Sequence, residues 1–89
     1  MIKVHSTIEG PRVVGTKQTL KALNDGEVTL LFVARDAKPD VVGEVLRFAE
    51  LNGINVNYVD SMEFLGKACN INVKTATAAL IKKENGGEN

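Results

Sequence analysis

One cysteine and one histidine are all this 89-residue chain has of the side chains that most often serve as thiol nucleophile, imidazole base or soft metal ligand. A single cysteine closes no internal disulfide, which points to a reducing, cytoplasmic setting. The patterns CxxC, HExxH, GxxxxGK[ST] and GxGxxG are all missing, so zinc clusters, metalloprotease chemistry and phosphate-cradling nucleotide loops have no anchor. His5 lies close to the N-terminus, and Cys69 falls on the apolar stripe of an expected helix, where a thiol behaves as a small hydrophobe. No catalytic residue, metal ligand or cofactor is therefore expected. Asp36 and Asp40 flank a helix start, where carboxylates cap and complement the dipole. Long apolar runs are lacking too. The longest, residues 30–34 with Val28 just before it, falls far short of a membrane span. Met1-Ile2-Lys3-Val4-His5 has no apolar core of the kind a signal peptide needs. Nor is there an excess of either charge sign, with Lys+Arg 11 against Asp+Glu 11. A neutral chain is ill suited to indiscriminate coating of a nucleic-acid duplex.

What is present is ordinary for a globular domain: 44% hydrophobic and 25% charged residues in a length that suits one core. The expectation is a single domain over residues 1–83, followed by a flexible polar tail at 84–89. The neutral total conceals an uneven distribution. Residues 1–25 carry net +2, residues 26–60 net −3, residues 61–83 net +3, and the tail net −2. Two basic segments thus flank an acidic block. A fold that joins them would create a local basic face for a compact anionic partner. Scatter in a small domain would give the same count.

Two periodicities alternate along the chain. Arg12-Val13-Val14 reads as a short strand. Residues 16–25 read as a helix with Leu20, Ala22 and Leu23 inward, stopped by Gly26. Residues 28–34 are nearly all apolar and β-rich, which suits a central strand covered on both faces. Pro39 sits in the first turn of the next helix, where its missing N–H is not needed. That helix runs to about Asn52 with Val42, Val45, Leu46 and Ala49 buried, and Gly53 ends it. Residues 54–59 alternate as a strand. Ser61 caps a short helix over 62–69, and residues 76–81 read as a last strand despite their alanines. The order predicts an α/β fold, a three-layer α/β/α sandwich around a mixed sheet of about four strands.

Two stretches admit a functional reading beside the structural one. In Gly15-Thr16-Lys17-Gln18-Thr19-Leu20-Lys21, the glycine permits close backbone approach, and the helix start offers free N–H groups to a phosphate. Lys17 and Gln18 carry donors suited to base edges, and Lys21 lies one turn on. A solvated first turn would look the same. In Leu65-Gly66-Lys67-Ala68-Cys69-Asn70-Ile71-Asn72-Val73-Lys74-Thr75, Gly66 weakens a helix by about 1 kcal/mol relative to Ala, so close packing or a close ligand is expected there. Asn70 suits a left-handed stop. Ile71 and Val73 either support an unstacked base or pack beneath their loop.

Together these stretches resemble a known family. Gly15-Thr16-Lys17-Gln18-Thr19-Leu20-Lys21-Ala22-Leu23 is similar to the Gly-x-(Asn/Lys)-(Glu/Gln)-x-x-Lys-x-(Ile/Leu) signature of the large-subunit ribosomal proteins seven-Ae and thirty-e, which bind kink-turn RNA. Ala34-Arg35-Asp36-Ala37-Lys38-Pro39 resembles their Ala-x-Asp-x-x-Pro turn. Residues 65–73 resemble their Leu-Gly-x-Ala-x-Gly-hydrophobic-x-Val block, with Asn70 in place of the glycine. The likeness runs from about Val13 to Lys82, with the three motifs in order. Lys17-Gln18, where archaeal members have Asn-Glu, matches the bacterial form. The resemblance implies a non-enzymatic, monomeric RNA-binding protein. By this carry-over, Gly15, Thr16, Lys17, Gln18 and Lys21 would read the sheared G·A pairs of a kink-turn in structured or ribosomal RNA. Ile71, Asn72, Val73, Lys74 and Thr75 would cradle the expelled nucleotide. The alternative is a protein-interaction module on the same fold that has lost RNA binding. A small hydrolase comes third, for want of a catalytic constellation.

Overall fold

The structure, a computed structural model, describes residues 8–82. His5 and the tail expected at 84–89 lie outside the described residues. Seven elements follow in the expected order: β1 (Arg12–Val14), α1 (Thr16–Asn24), β2 (Val28–Ala34), α2 (Pro39–Leu51), β3 (Val56–Val59), α3 (Met62–Ala68) and β4 (Thr77–Ile81). Among the described residues, no helix is long and apolar enough to cross a membrane.

The sheet has the order β1-β4-β2-β3. β2 runs parallel to β3, while β4 runs antiparallel to both of its neighbours. Side chains alternate across a strand, and that alternation sorts the core into two layers. Leu31, Val33 and Ala79 face α1 and α2, where they join Ala22, Leu23, Val42, Val45 and Ala49. Ala34 and Ala78 face the other way and pack with Leu65 of α3 and with Cys69, which caps its C-terminus. The mixed α/β/α sandwich therefore has two helices on one face and one on the other. Ala78 and Ala79 sit between the two layers at 1% and 0% exposure, which explains a strand built on alanines.

These three helices end alike. After α1, Gly26 N–H donates to the Leu23 carbonyl at 3.1 Å and Glu27 N–H to that of Ala22 at 3.0 Å. After α2, Gly53 donates to Glu50 at 3.1 Å and Ile54 to Ala49 at 2.9 Å. After α3, Asn70 donates to Lys67 at 2.9 Å and Ile71 to Gly66 at 3.1 Å. This is the Schellman arrangement, which satisfies orphan carbonyls through one left-handed residue. Gly26, Gly53 and Asn70 supply that residue at φ 71, 67 and 65. The same motif shortens one expected element. The Ile54 N–H is engaged by the helix behind it, so β3 starts at Val56 rather than Ile54.

Candidate functional site

The β1–α1 junction turns on Gly15, which has φ 102 and ψ 152. That backbone region is essentially closed to any L side chain. Nothing stands within 4 Å of where its Cβ would be, so the demand for glycine is torsional, not steric. α1 has no side-chain cap and no acidic residue in its first turn, so its N-terminal dipole is uncompensated from within. Lys17, Gln18 and Lys21 are exposed, Thr16 is half-buried and Thr19 is buried. Lys21 Nζ pairs with Asp25 Oδ2 at 3.1 Å across one helical turn. An exposed pair of this kind contributes only about 0.3–0.5 kcal/mol and yields readily to a phosphate.

The stretch after α3 is held differently. A Cβ on Gly66 would fall on the Val73 carbonyl oxygen and stand 3.1 Å from Lys74 Cα. The loop backbone thus lies directly on α3, which accounts for a glycine inside a helix. Ile71 is half-buried against the Leu65–Cys69 cluster, whereas Val73 is 68% exposed. The two branched residues therefore part: Ile71 anchors the loop, and Val73 stands in solvent with Asn72 and Lys74.

These two segments meet at one atom. The Thr77 carbonyl accepts the Gly15 N–H at 2.9 Å and the Thr75 hydroxyl at 2.8 Å. The Thr77 hydroxyl lies 3.5 Å from that of Thr16 and 3.4 Å from that of Thr19. Thr75 also donates its N–H to the Met62 carbonyl at 3.1 Å. The structure corrects one detail here. Thr75, which the family resemblance groups with residues facing a ligand, is 7% exposed, and its side chain turns inward. Gly15, Thr16, Lys17 and Gln18 are otherwise brought to the end of the sheet where Lys74 and Thr75 also arrive. The basic segments as wholes do not gather there: Lys82 lies at the opposite end of the sheet, where its N–H donates to the Glu27 carbonyl at 2.8 Å.

Residues around the β2–α2 turn lie at this end too; the sequence marks them as a motif but not as neighbours of the site. Ala34 N–H donates to the Ala76 carbonyl at 2.9 Å, and Arg35 N–H to that of Val59 at 2.8 Å. The Arg35 guanidinium lies 5.5 Å from the centroid of the Tyr58 ring. Asp36 caps a helix, but not the one that follows it. Its Oδ1 accepts the Met62 N–H at 2.8 Å, at the start of α3, beside Ser61, whose Oγ accepts the Phe64 N–H at 3.0 Å. α2 begins at Pro39, and Lys38 at its N-cap makes no side-chain cap. A carboxylate next to a proline-led helix is naturally read as local, and only its distance from Ser61 in sequence conceals the true partner. Cys69 is buried, and burial pushes its thiol up, with the Arg12 charge pulling weakly the other way. Arg12 Nη2 donates to the Cys69 carbonyl at 3.1 Å, so the guanidinium serves the backbone there.

Comparison with known proteins matches residues 5–88 to the Ribosomal protein L7Ae/L30e/S12e/Gadd45 family. RNA-binding protein BH0128 of Halalkalibacterium halodurans is 54% identical over 70 residues, which cover 79% of this chain and 85% of that one. RNA-binding protein YbxF of Geobacillus stearothermophilus is 44% identical over 73 residues, covering 82% and 89%. Among solved structures, the Giardia lamblia 15.5kD RNA binding protein superposes with a TM-score of 0.76 at 30% identity, over 88% of this chain and 66% of that one. With a family match over nearly the whole chain and a solved relative of the same fold, the chain belongs to the Ribosomal protein L7Ae/L30e/S12e/Gadd45 family.

Proposed function

We propose that this protein binds RNA and stabilises a kink-turn in structured or ribosomal RNA. The observation that carries the reading is the shared Thr77 carbonyl, which brings a helix start and an apolar-tipped loop to one end of the sheet. The names of BH0128, YbxF and the Giardia protein support an RNA partner. Each half of the surface suits a different part of such a ligand. Gly15 and Thr16 present open backbone at the positive end of α1, where phosphate oxygens are favoured. Lys17 and Gln18 reach base edges of the sheared G·A pairs, and Lys21 exchanges Asp25 for a phosphate. Exposed Val73, with Asn72 and Lys74 beside it and Ile71 anchoring them, supports a base expelled from the stack.

The mechanism is a population shift. An RNA that samples extended and kinked forms is held kinked, because only the kinked form meets both halves at once. The work needs no bond-making group, and the protein acts as a non-enzymatic cytoplasmic monomer. The test is a titration of a short labelled kink-turn beside a version whose G·A pairs are replaced by Watson–Crick pairs. The expected result is tight binding to the first and salt-sensitive, weak binding to the second. Equal affinity for the two would overturn the kink-turn reading. No affinity for either would leave the fold as a protein-interaction module.

A further inference from the structure

The buried threonines beneath the surface touch no ligand in this reading, but their hydroxyls find partners where its two halves meet. Thr75 and Thr77 are 7% and 0% exposed, and Thr19 beside them is 0%. Burying a hydroxyl is unfavourable unless it is bonded, and valine fills the same space without that requirement. What the hydroxyl of Thr75 adds is a specific connection. It takes one lone pair of the Thr77 carbonyl, while the Gly15 N–H takes the other. The same residue's N–H is bound to the Met62 carbonyl, and the Met62 N–H is bound to Asp36. A continuous hydrogen-bonded belt thus runs from the β2–α2 turn through the start of α3 and the end of the loop to the start of α1.

We infer that Thr75 is a positioning residue for recognition. Its hydroxyl fixes the end of the 71–74 loop on the same Thr77 carbonyl that receives the Gly15 N–H, so that both halves of the surface stand preformed in one fixed relation. This inference rests on the RNA reading above and concerns how that surface is held. Thr75→Val leaves the Thr77 carbonyl its Gly15 partner, so no buried acceptor is orphaned and the melting temperature stays close to wild type. What disappears is the second hold on that carbonyl, which fixes the exit of the loop relative to the Gly15 turn. A surface that must be ordered on binding has weaker affinity than one ordered beforehand.

The experiment compares wild type, Thr75→Val and Thr75→Ser in three measurements: kink-turn affinity, amide exchange of residue 75 in the free protein, and a double-mutant cycle with Lys17→Ala. Thr75→Val is expected to weaken kink-turn binding about three- to tenfold, the range a single hydrogen bond commands. Residue 75 should exchange faster in the free variant, and Thr75→Ser should restore both properties. In the cycle, Lys17→Ala should lose less affinity in the Thr75→Val background than in wild type, because the halves no longer act together. Thr75→Ala, which removes the hydroxyl without adding a methyl, should repeat the pattern if valine does not fit. Unchanged exchange in both hydroxyl-free variants, or strictly additive losses with Lys17→Ala, would overturn the inference. A wild type that fails to distinguish the kink-turn from its G·A-replaced version overturns the RNA reading instead. That failure is separately recognisable, because the exchange difference in the free protein survives it.

Discussion

At the start of α1 the chain is held by torsion, and beside the 71–74 loop it is held by contact. Gly15 has open space where a side chain would stand but a φ of 102 that side chains avoid. Gly66 has helical geometry but the Val73 carbonyl where its Cβ would be. Both positions demand glycine, and the demands are independent. One half of the surface is therefore open to a ligand's backbone, while the other is rigid because its backbone is already occupied. A surface combining open donors with a fixed apolar tip can grip charge on one side and a base on the other.

The sharpest way to break this contrast is Gly66→Ala. The added methyl must push the loop off α3, an overpacking expected to lower stability by about 2–3 kcal/mol in a denaturant titration. Gly15→Ala should be milder, about 1–2 kcal/mol, because only backbone strain opposes it. D-alanine at position 15, introduced by ligation, should restore stability, since it favours positive φ. Failure of that rescue would show that space, not torsion, governs the turn.

Val73→Asp separates recognition from packing. At 68% exposure the side chain lies outside the core, so the melt should stay within about 0.5 kcal/mol of wild type. Kink-turn affinity should fall about ten- to a hundredfold, the worth of one base support. On the opposite half, Lys17→Ala should weaken binding through a lost base contact, whereas Lys21→Ala should flatten the salt dependence of binding. The log–log slope should drop by roughly 0.7–0.9 for each phosphate that the protein no longer neutralises. Removing the Lys21–Asp25 pair should change stability by no more than about 0.5 kcal/mol.

Cys69 lies outside this contrast and calibrates it. Its thiol should react slowly in the folded state and quickly in denaturant. Burial raises its pKa in the folded state, so the neutral thiol contributes stability below the unfolded thiol's pKa. That contribution is lost as pH rises towards the folded value. The denaturation midpoint should therefore decline in the alkaline range, and Cys69→Ala, itself costing about 1 kcal/mol, should remove that part of the decline.

Much of the fold is legible in the sequence because its signals are local. Gly26 and Gly53 punctuate α1 and α2, Pro39 opens a helix, and the run at 28–34 marks a central strand. The candidate site is legible only in part. Lys17, Gln18 and Lys21 follow from helical spacing, and Gly66 from its cost within a helix. What periodicity cannot show is which way a short loop turns. Ile71 and Val73 have similar chemistry and fall on opposite sides of their loop, and Thr75 is polar yet faces inward. Asp36 escapes for the same reason: its partner, Met62, is 26 positions along the chain. Contacts of that reach are set by the closed sheet, not by neighbours in sequence.

The strand order carries a consequence for how the protein is made. β1 pairs only with β4, which is last in the chain among the described strands and lies inside the sheet. During synthesis from the N-terminus, β1 and the Gly15 turn must wait without a partner until residues 77–81 emerge. The surface at this end of the sheet is thus assembled only once residues 77–81 are available, and a nascent chain stopped before Thr77 has no place for its first strand to go.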